Sequence, residues 1–367
     1  MRIGWFLNAQ GAGHRNRLTA LLPYFSATTQ LMTLGCGTVE LHRAGKPLPH
    51  LKLPAYNTPI QHDYLREQVW REFHGLQMNA GGNAPFFAEL MTWIADWRPD
   101  LMVVDVALEA ALAARLCGVP VVYVRQHGKR WDLGHRIAYE ASLALLAPFS
   151  SEMEQADCPK WIKQKTFYAG GFCRFRAAME AEQPICFKAS GQNSVVNVVV
   201  ILGSGGTNIG WNEIRSAAVA TPAWSWFVLG HLDNFPEALG NITNLGRIPN
   251  VYSYLCHADL VIANAGHNTV MEIGAARAPF LCWPAQRPFK EQLCKAAVLE
   301  ALDLAVVRYQ WPPSETWPDI LTAARQKSLN RWQSLLDDTS PQRTAQFIES
   351  LCQRCSTTDN QHWVEAV

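Results

Sequence analysis

The sequence lacks an excess of charge of either sign, because 32 Lys and Arg residues are balanced by 31 Asp and Glu residues. No long-range field therefore draws the protein to nucleic acid or to an anionic membrane. It also lacks an apolar run of the ~18 residues that a membrane span requires, and its first residues lack the apolar core of a signal peptide. We expect a cytoplasmic protein, with peripheral contact to the inner membrane face left open.

The chain contains ten cysteines, but few of them lie close to one another in the sequence. Most stand singly, and several lie inside apolar runs, as small core residues of a reduced compartment do. Cys352 and Cys355 form a C-x-x-C pair, but a structural zinc site needs a second ligand pair, which His362 alone does not supply. The sequence therefore predicts neither a disulfide framework nor a metal site.

Short apolar runs rich in β-branched residues alternate with longer helical patterns, which is typical of βαβ units around a parallel sheet. The alternation begins at Ile3 and starts again at Val195, each time with a buried strand that runs into glycines and then a helix. We therefore predict an α/β protein of two Rossmann-like domains. The predicted parts are an N-terminal domain at 1–172, a linker at 173–194, a C-terminal domain at 195–335, and a terminal helix and tail at 336–367.

Gly11, Ala12, Gly13 and His14 follow the first predicted strand. A dinucleotide-binding loop would read G-x-G-x-x-G, but position 16 is Asn, and the next strand ends in Gly35 instead of an acidic residue. Hydride transfer with NAD is therefore disfavoured. His14 can accept a hydroxyl proton near neutral pH; the alternative is a loop or capping histidine.

Asp105 follows the predicted strand at 101–104, so the topology of a parallel sheet places it at the same edge as His14. Its carboxylate could orient the His14 ring by accepting the second ring N–H. The alternative is an N-cap for the helix predicted at 107–116. On local sequence alone the cap is the stronger interpretation.

A basic segment follows the strand at 121–124 and begins with Arg125, Gln126 and His127. A solvated surface is the usual explanation of such a run. Its place at the carboxyl end of a strand favours an acceptor-binding loop that contacts a phosphate or carboxylate.

Two glycine-containing turns in the second half predict phosphate contacts. The first, at 203–208, leaves backbone N–H groups accessible to a diphosphate, although a plain strand-to-helix turn would look similar. The second, at 264–272, leads from a strand into a helix N-terminus, which favours anions. Thr269 and Glu272 also fit a capping box, which is an alternative role for Glu272.

The segment from Asn264 to Gln292 resembles the donor-binding segment of the GT-B glycosyltransferases, most closely the bacterial N-acetylglucosaminyltransferases that build the lipid-linked peptidoglycan precursor, and more distantly the UDP-glycosyltransferases. Their pattern is His-x-Gly-x-Asn-Ser/Thr-x-x-Glu, then Gly-x-Pro, then an acidic residue and Gln. The matching residues are Gly266, Asn268, Thr269, Glu272, Pro279, Glu291 and Gln292. Two features differ: Asn264 replaces a phosphate-binding His, and the Gly of the Gly-x-Pro pattern is missing before Pro279.

The resemblance implies two domains facing each other across a cleft and an inverting, metal-independent transfer from a nucleotide diphosphate sugar. A UDP-sugar is expected, with UDP-GlcNAc and UDP-hexoses as candidates, and no other cofactor. It implies His14 and Asp105 as catalytic residues, and Gly13, Arg125, Gln126 and His127 on the acceptor side. The implied donor-binding residues are Gly203, Ser204, Gly205, Gly206, Thr207, Arg247, Ile248, Asn264, Gly266, His267, Asn268, Thr269, Glu272, Glu291 and Gln292. Among them, the resemblance implies Glu272 on the ribose hydroxyls, Glu291 with Gln292 on the transferred sugar, and the strip Arg247-Ile248-Pro249 at the uracil edge.

Three interpretations thus stay open on sequence. The first is a glycosyltransferase with an unidentified acceptor hydroxyl, which would contact the membrane if that acceptor were lipid-linked. The second is a nucleotide-sugar hydrolase or 2-epimerase on the same scaffold. The third is a non-catalytic partner that keeps the fold, an interpretation that Asn264 favours.

Overall fold

The structure is a computed structural model, and it describes residues 1–8, 13–55, 81–175, 196–203, 205–232, 240–248 and 250–357. The first half is built on a seven-stranded parallel sheet, flanked by a two-stranded hairpin of β3 and β4. Its strands are β1 (Arg2–Phe6), β2 (Gln30–Gly35), β3 (His42–Arg43), β4 (Lys46–Pro47), β5 (His50–Lys52), β6 (Leu101–Asp105), β7 (Val121–Val124), β8 (Ala144–Ala147) and β9 (Thr166–Tyr168). The strand order in the large sheet is β5-β2-β1-β6-β7-β8-β9.

The second half is built on a six-stranded parallel sheet. Its strands are β10 (Val196–Ile201), β11 (Trp224–Leu229), β12 (Ile242–Gly246), β13 (Leu260–Ala263), β14 (Phe280–Cys282) and β15 (Val306–Val307). The order β12-β11-β10-β13-β14-β15 is the 3-2-1-4-5-6 order of a Rossmann fold. The prediction of two Rossmann-like α/β domains is confirmed.

Helices connect the strands in both halves. The helices of the first half are α1 (Gly13–Leu21), α2 (Asn83–Trp97), α3 (Leu108–Leu116), α4 (Leu133–Ala141) and α5 (Lys160–Lys165). Those that follow β10 are α6 (Trp211–Ala220), α7 (Tyr252–Cys256), α8 (His267–Ala276), α9 (Glu291–Ala301), α10 (Trp317–Arg325), α11 (Trp332–Leu335) and α12 (Ser340–Thr357). No helix of the described segments is both long and apolar enough to cross a membrane.

The central strands are apolar at nearly every position because helices cover both faces of each sheet. In β10, Val198 and Val200 pack into the core layer on one face, and Val199 packs into the layer on the other. β1 divides in the same way, with Trp5 on one side and Phe6 on the other. This double burial explains why the strands read as continuous apolar runs.

The last helix, α12, returns to the first half of the chain. The Phe347 ring stacks on Phe167 with centroids 3.9 Å apart, and the Glu349 carboxylate accepts a hydrogen bond from Thr29 Oγ1 at 2.5 Å. The predicted terminal helix is thus present. Most of the predicted linker at 173–194, and the tail beyond 357, lie outside the described residues, so the domain boundaries stay predictions.

Candidate functional site

His14 and Asp105 come together because β1 and β6 are neighbouring parallel strands whose carboxyl ends meet at one sheet edge. His14 lies in the first turn of α1, and Asp105 is the last residue of β6. His14 Nδ1 lies 3.0 Å from Asp105 Oδ1, and the carboxylate is fully buried. Helix α3 begins at Leu108 after Ala107 as its N-cap, so the capping interpretation of Asp105 is wrong.

Asp105 has a second partner that the sequence reasoning missed. Arg17 lies one helical turn after His14 on α1, is 3% exposed, and places Nη1 2.5 Å from both carboxylate oxygens. Burial alone would raise the pKa of Asp105, but the charges of Arg17 and His14, together with the hydrogen bonds from Arg17, lower it below its ordinary value. The His14–x–x–Arg17 spacing, which puts both side chains on one helix face, was the available signal.

The chain turns sharply directly after Asp105. Val106 has a φ of 62°, in the left-handed region that β-branched residues rarely adopt. Such a conformation costs on the order of 1–3 kcal/mol and persists where the surrounding structure enforces it. The strained turn separates the buried carboxylate from the start of α3.

The segment 264–272 leads from β13 into α8. Gly266 is the N-cap of this helix, and α8 begins at His267, so Thr269 cannot be the N-cap of a capping box with Glu272. That alternative is wrong. The buried Glu272 carboxylate instead accepts a hydrogen bond from Arg174 Nε at 3.0 Å. Any ribose hydroxyl at Glu272 would therefore compete with, or join, Arg174.

Asn264 stands at the end of β13 and joins three parts of the second half. Its Nδ2 donates to Asn208 Oδ1 at 2.7 Å and to the Trp283 carbonyl at 2.6 Å. Its Oδ1 is buried and has no hydrogen-bond partner among the described residues. The side chain thus ties the glycine loop to the end of β14, and it supplies no positive charge.

The glycine loop after β10 is exposed at Gly203, Gly205 and Gly206, whereas Ser204 lies outside the described residues. Gly206 has a φ of 94°, which a residue with a Cβ rarely adopts. Arg287 Nη2 donates to the Gly206 carbonyl at 2.5 Å. The hydroxyl of Thr207 accepts a hydrogen bond from the backbone of Ile209 at 3.0 Å.

The two halves meet at the start of α8. Asn268 Nδ2 donates to the Gly13 carbonyl at 2.9 Å, so the predicted diphosphate turn lies beside the His14 turn. A cavity at this junction is lined by residues of both halves, among them Arg17, Phe172, Arg174, His267, Asn268 and Glu272. The structure thus brings the predicted catalytic and donor segments together.

A second junction joins the basic loop to the start of α9. The Lys129 backbone N–H donates to the Phe289 carbonyl at 2.7 Å, and Arg130 Nη2 lies 3.6 Å from Glu291 Oε2. The neighbouring Gln292 holds the backbone of the preceding turn, since its Oε1 accepts from Ala285 N at 2.9 Å. The predicted sugar contacts of Glu291 and Gln292 stay predictions.

The predicted acceptor residues Arg125 and His127 are buried, so a solvated surface does not describe them. Arg125 forms an ion pair with Glu154, and His127 Nε2 lies 2.7 Å from the Met153 carbonyl. Burial and nearby cations hold the pKa of His127 well below its ordinary value. Their acceptor role, with that of the half-buried Gln126, stays a prediction.

At the end of β12, Arg247 is exposed, whereas Ile248 is half-buried against the core. Pro249, which completes the predicted uracil-binding strip, lies outside the described residues, as do Gly11 and Ala12. The uracil contact therefore stays a prediction.

No protein-family model matches the sequence. Two curated relatives, both called uncharacterized glycosyltransferases of Methanosarcina acetivorans, are 25% identical over 338 residues and 23% identical over 257 residues. The first match covers 82% of this chain and 81% of the relative. The second covers 61% of this chain and 64% of the relative, which is less than two thirds of its length.

Solved structures of glycosyltransferases share the fold over nearly the whole chain. The glycotransferase of kitacinnamycin has a TM-score of 0.69 at 14% identity, covering 95% of this chain and 98% of its own. The spinosyn rhamnosyltransferase SpnG, complexed with thymidine diphosphate, has a TM-score of 0.63 at 15% identity, covering 96% and 100%. MurG of Acinetobacter baumannii has a TM-score of 0.58 at 15% identity, covering 95% and 100%. The chain therefore has the GT-B fold, and it resembles glycosyltransferases over most of its length.

Proposed function

We propose that the protein is an inverting glycosyltransferase that moves a sugar from a nucleotide diphosphate donor to an acceptor hydroxyl. The observation that carries the proposal is the position of the His14–Asp105 pair, which the Asn268–Gly13 hydrogen bond holds beside the start of α8. A candidate proton acceptor and a helix N-terminus, a position that favours anions, are thus adjacent, as nucleophilic displacement at a sugar diphosphate requires.

In the proposed reaction, His14 is the general base. Its Nδ1–H faces Asp105, which leaves Nε2 to take the proton of the acceptor hydroxyl. The acceptor oxygen attacks the anomeric carbon from the face opposite the diphosphate. The bond from that carbon to the diphosphate oxygen breaks, its electron pair leaves with the diphosphate, and the configuration inverts. The Asp105 carboxylate stabilises the imidazolium that forms.

Charge on the departing diphosphate would be stabilised by backbone N–H groups at the start of α8 and in the glycine loop. A helix N-terminus carries about half a positive charge, and its first N–H groups have no partner within the helix. Donors that are already oriented stabilise charge without reorganisation. The proposed mechanism therefore requires no divalent ion.

The proposal leaves open the nucleobase of the donor and the identity of the acceptor. The resemblance to UDP-dependent enzymes favours a UDP-sugar, whereas the SpnG structure contains thymidine diphosphate. A lipid-linked acceptor, with peripheral membrane contact, is one option. Calorimetry with UDP-, dTDP- and GDP-sugars would identify the donor class.

Turnover tests the assignment of His14. We expect His14→Ala to lower kcat by about 10² to 10⁴, the usual contribution of a general base, with donor affinity unchanged. His42→Ala, which removes an exposed histidine of β3 that is not part of the described site, is the matched control. Near-wild-type turnover of His14→Ala would refute the mechanism.

Product analysis with a panel of hydroxyl acceptors separates the alternatives. A transferase adds the sugar to an acceptor, a hydrolase releases free sugar and nucleotide, and an epimerase changes the sugar while the diphosphate stays intact. A non-catalytic partner would give no product and would bind nucleotide weakly.

A further inference from the structure

Lys295, on α9, is buried behind the start of α8. The residue is 1% exposed. Its Nζ lies 2.8 Å from His267 Nδ1 and 5.7 Å from the centroid of the Phe149 ring. A lysine is almost never fully buried without a partner of opposite charge. Here the hydrogen-bonded partner is a histidine, which calls for an explanation.

The groups that face Lys295 come from five parts of the molecule. They are His267 of α8, Glu291 of its own helix, Arg17 of α1, Cys282 of β14 and His127 of the loop after β7. Burial lowers the pKa of Lys295 to about 7; Glu291 opposes this effect, and Arg17 adds to it. The ammonium and the neutral amine of Lys295 are therefore both populated near neutral pH.

The contact also determines which ring nitrogen of His267 carries the proton. Burial and the nearby Lys295 ammonium hold the pKa of His267 well below its ordinary value, so the ring is neutral. Since the ammonium only donates, His267 Nδ1 accepts, and Nε2 carries the hydrogen. His267 lines the cavity at the junction of the halves, where an Nε2–H is a donor for an anion.

We propose that Lys295 is a positioning residue for the donor diphosphate: its ammonium fixes His267 as an Nε2–H donor and adds positive charge behind the start of α8. The inference rests on the proposed function. Asn264 supplies no such charge, because its amide is neutral, and the amide N–H groups already donate to Asn208 and Trp283. Lys295 and His267 provide at the same helix end what Asn264 does not.

A pH dependence follows from the charge of Lys295. The ammonium is present below pH of about 7 and is lost as the pH rises through that value. Donor affinity should therefore fall as the pH rises through about 7. A nucleotide sugar is the right probe, because its diphosphate is esterified at both ends, whereas free UDP has a terminal phosphate that itself titrates near pH 6.

The binding experiment compares wild type, Lys295→Met, Lys295→Arg and the exposed control Lys160→Met. We expect Lys295→Met to weaken binding of the nucleotide sugar that calorimetry identifies by about tenfold or more at pH 6.5. This is the usual effect of losing a hydrogen bond from a charged group. Above pH 8 the difference from wild type should shrink. Lys295→Arg keeps a charge at every pH and should remove the pH dependence while retaining affinity.

A second readout needs no donor. With ¹⁵N-labelled histidine, and His267→Gln to assign the signal, NMR below pH 7, where Lys295 is an ammonium, should show His267 as the Nε2–H tautomer in wild type and a changed tautomer ratio in Lys295→Met. Met is close to Lys in volume, so the fold should survive, which thermal unfolding would check.

The outcomes separate the two proposals. Wild type that binds donors, together with Lys295→Met that binds equally well with the same pH profile, overturns the role of Lys295 and leaves the proposed function standing. An Nδ1–H tautomer in wild type also overturns it. Wild type that binds no nucleotide sugar refutes the proposed function, and the diphosphate role with it.

Discussion

Replacing Asp105 with Asn should impair both turnover and stability, and the two effects have different causes. The substitution keeps the shape of the side chain but removes the negative charge that faces His14 and Arg17. For turnover, the imidazolium loses its counter-charge and the ring loses the group that orients it. We expect a decrease in kcat of about 10² or more, approaching the effect of His14→Ala.

The effect on stability comes from Arg17. Arg17 is 3% exposed, so without Asp105 its guanidinium would be a buried charge with its closest counter-charge removed. Breaking such a pair by removing one partner costs about 3–5 kcal/mol. For a domain of this size, each kcal/mol lowers Tm by roughly 2–4 °C. Asp105→Asn should therefore lower Tm by about 10 °C.

The double variant Arg17→Met, Asp105→Asn separates the two effects. Since it removes both charges, it should regain most of the stability, but it should stay as slow as Asp105→Asn, because His14 still lacks its carboxylate. Steady-state kinetics and thermal unfolding of wild type, Asp105→Asn and the double variant measure both. Near-wild-type turnover of Asp105→Asn, or a double variant as unstable as the single, would refute the reasoning.

The same pair predicts a pH dependence of stability. The folded-state pKa of Asp105 is lowered, so its contribution is complete above the unfolded value of about 4 and is lost as the pH falls through the folded value. Wild type should lose this stability in acid, and Asp105→Asn should show no corresponding loss. Denaturant unfolding between pH 3 and 6 would measure the difference.

Three further predictions concern other parts of the site and the core. Glu272→Ala should weaken binding of a nucleotide sugar by about tenfold or more in calorimetry, since ribose hydroxyls would lose a charged acceptor; unchanged affinity would contradict the ribose contact. Arg174→Met should tighten the same binding several-fold, because Arg174 donates to Glu272 in the structure; weaker binding would assign Arg174 itself to the donor. Gly274→Ala should destabilise the fold by about 1–3 kcal/mol, since a Cβ there would lie 2.4 Å from Trp332 Cε3, whereas Gly81→Ala, with nothing within 4 Å, is the control for denaturant unfolding.

The fold could be predicted because the information for it is local. Each strand reads as an apolar run, each helix follows at a short distance, and a parallel sheet places every strand-to-helix turn at one edge. That rule alone put His14 and Asp105 together, although 91 positions separate their numbers in the sequence. It also put the turn at Asn268 beside the edge of its own sheet. The Asn268 contact with Gly13 across the two halves needed the structure.

The partners of the charged side chains could not be predicted, because they are set by tertiary packing. The local sequence is consistent with a capping box of Thr269 and Glu272, but α8 begins two residues before Thr269. The Glu272 carboxylate instead accepts a hydrogen bond from Arg174. The basic run at Arg125 is typical of a solvated surface, but the Arg125 side chain is buried in an ion pair with Glu154. Nothing in the order of the residues shows that Lys295 is buried, because burial depends on how the helices and strands pack.

The buried charge of Lys295 at the junction of the halves predicts how the protein responds to an anion. Lys295 has a folded pKa of about 7, far below the unfolded value of roughly 10.4, so its burial destabilises the protein fully below pH 7, and this penalty fades as the pH rises. A bound dianion would stabilise the ammonium and offset the penalty. Sulfate should therefore raise Tm more in wild type than in Lys295→Met at pH 7.

The comparison of the two proteins removes the general stabilising effect of sulfate, which acts on both through its exclusion from the protein surface. Sulfate keeps two charges throughout this range, so the extra increase in Tm should shrink as the pH is raised to 9 and Lys295 becomes neutral. If sulfate raised Tm equally in both proteins at pH 7, the anion would not lie near Lys295, and the positive charge behind α8 would have no role in binding.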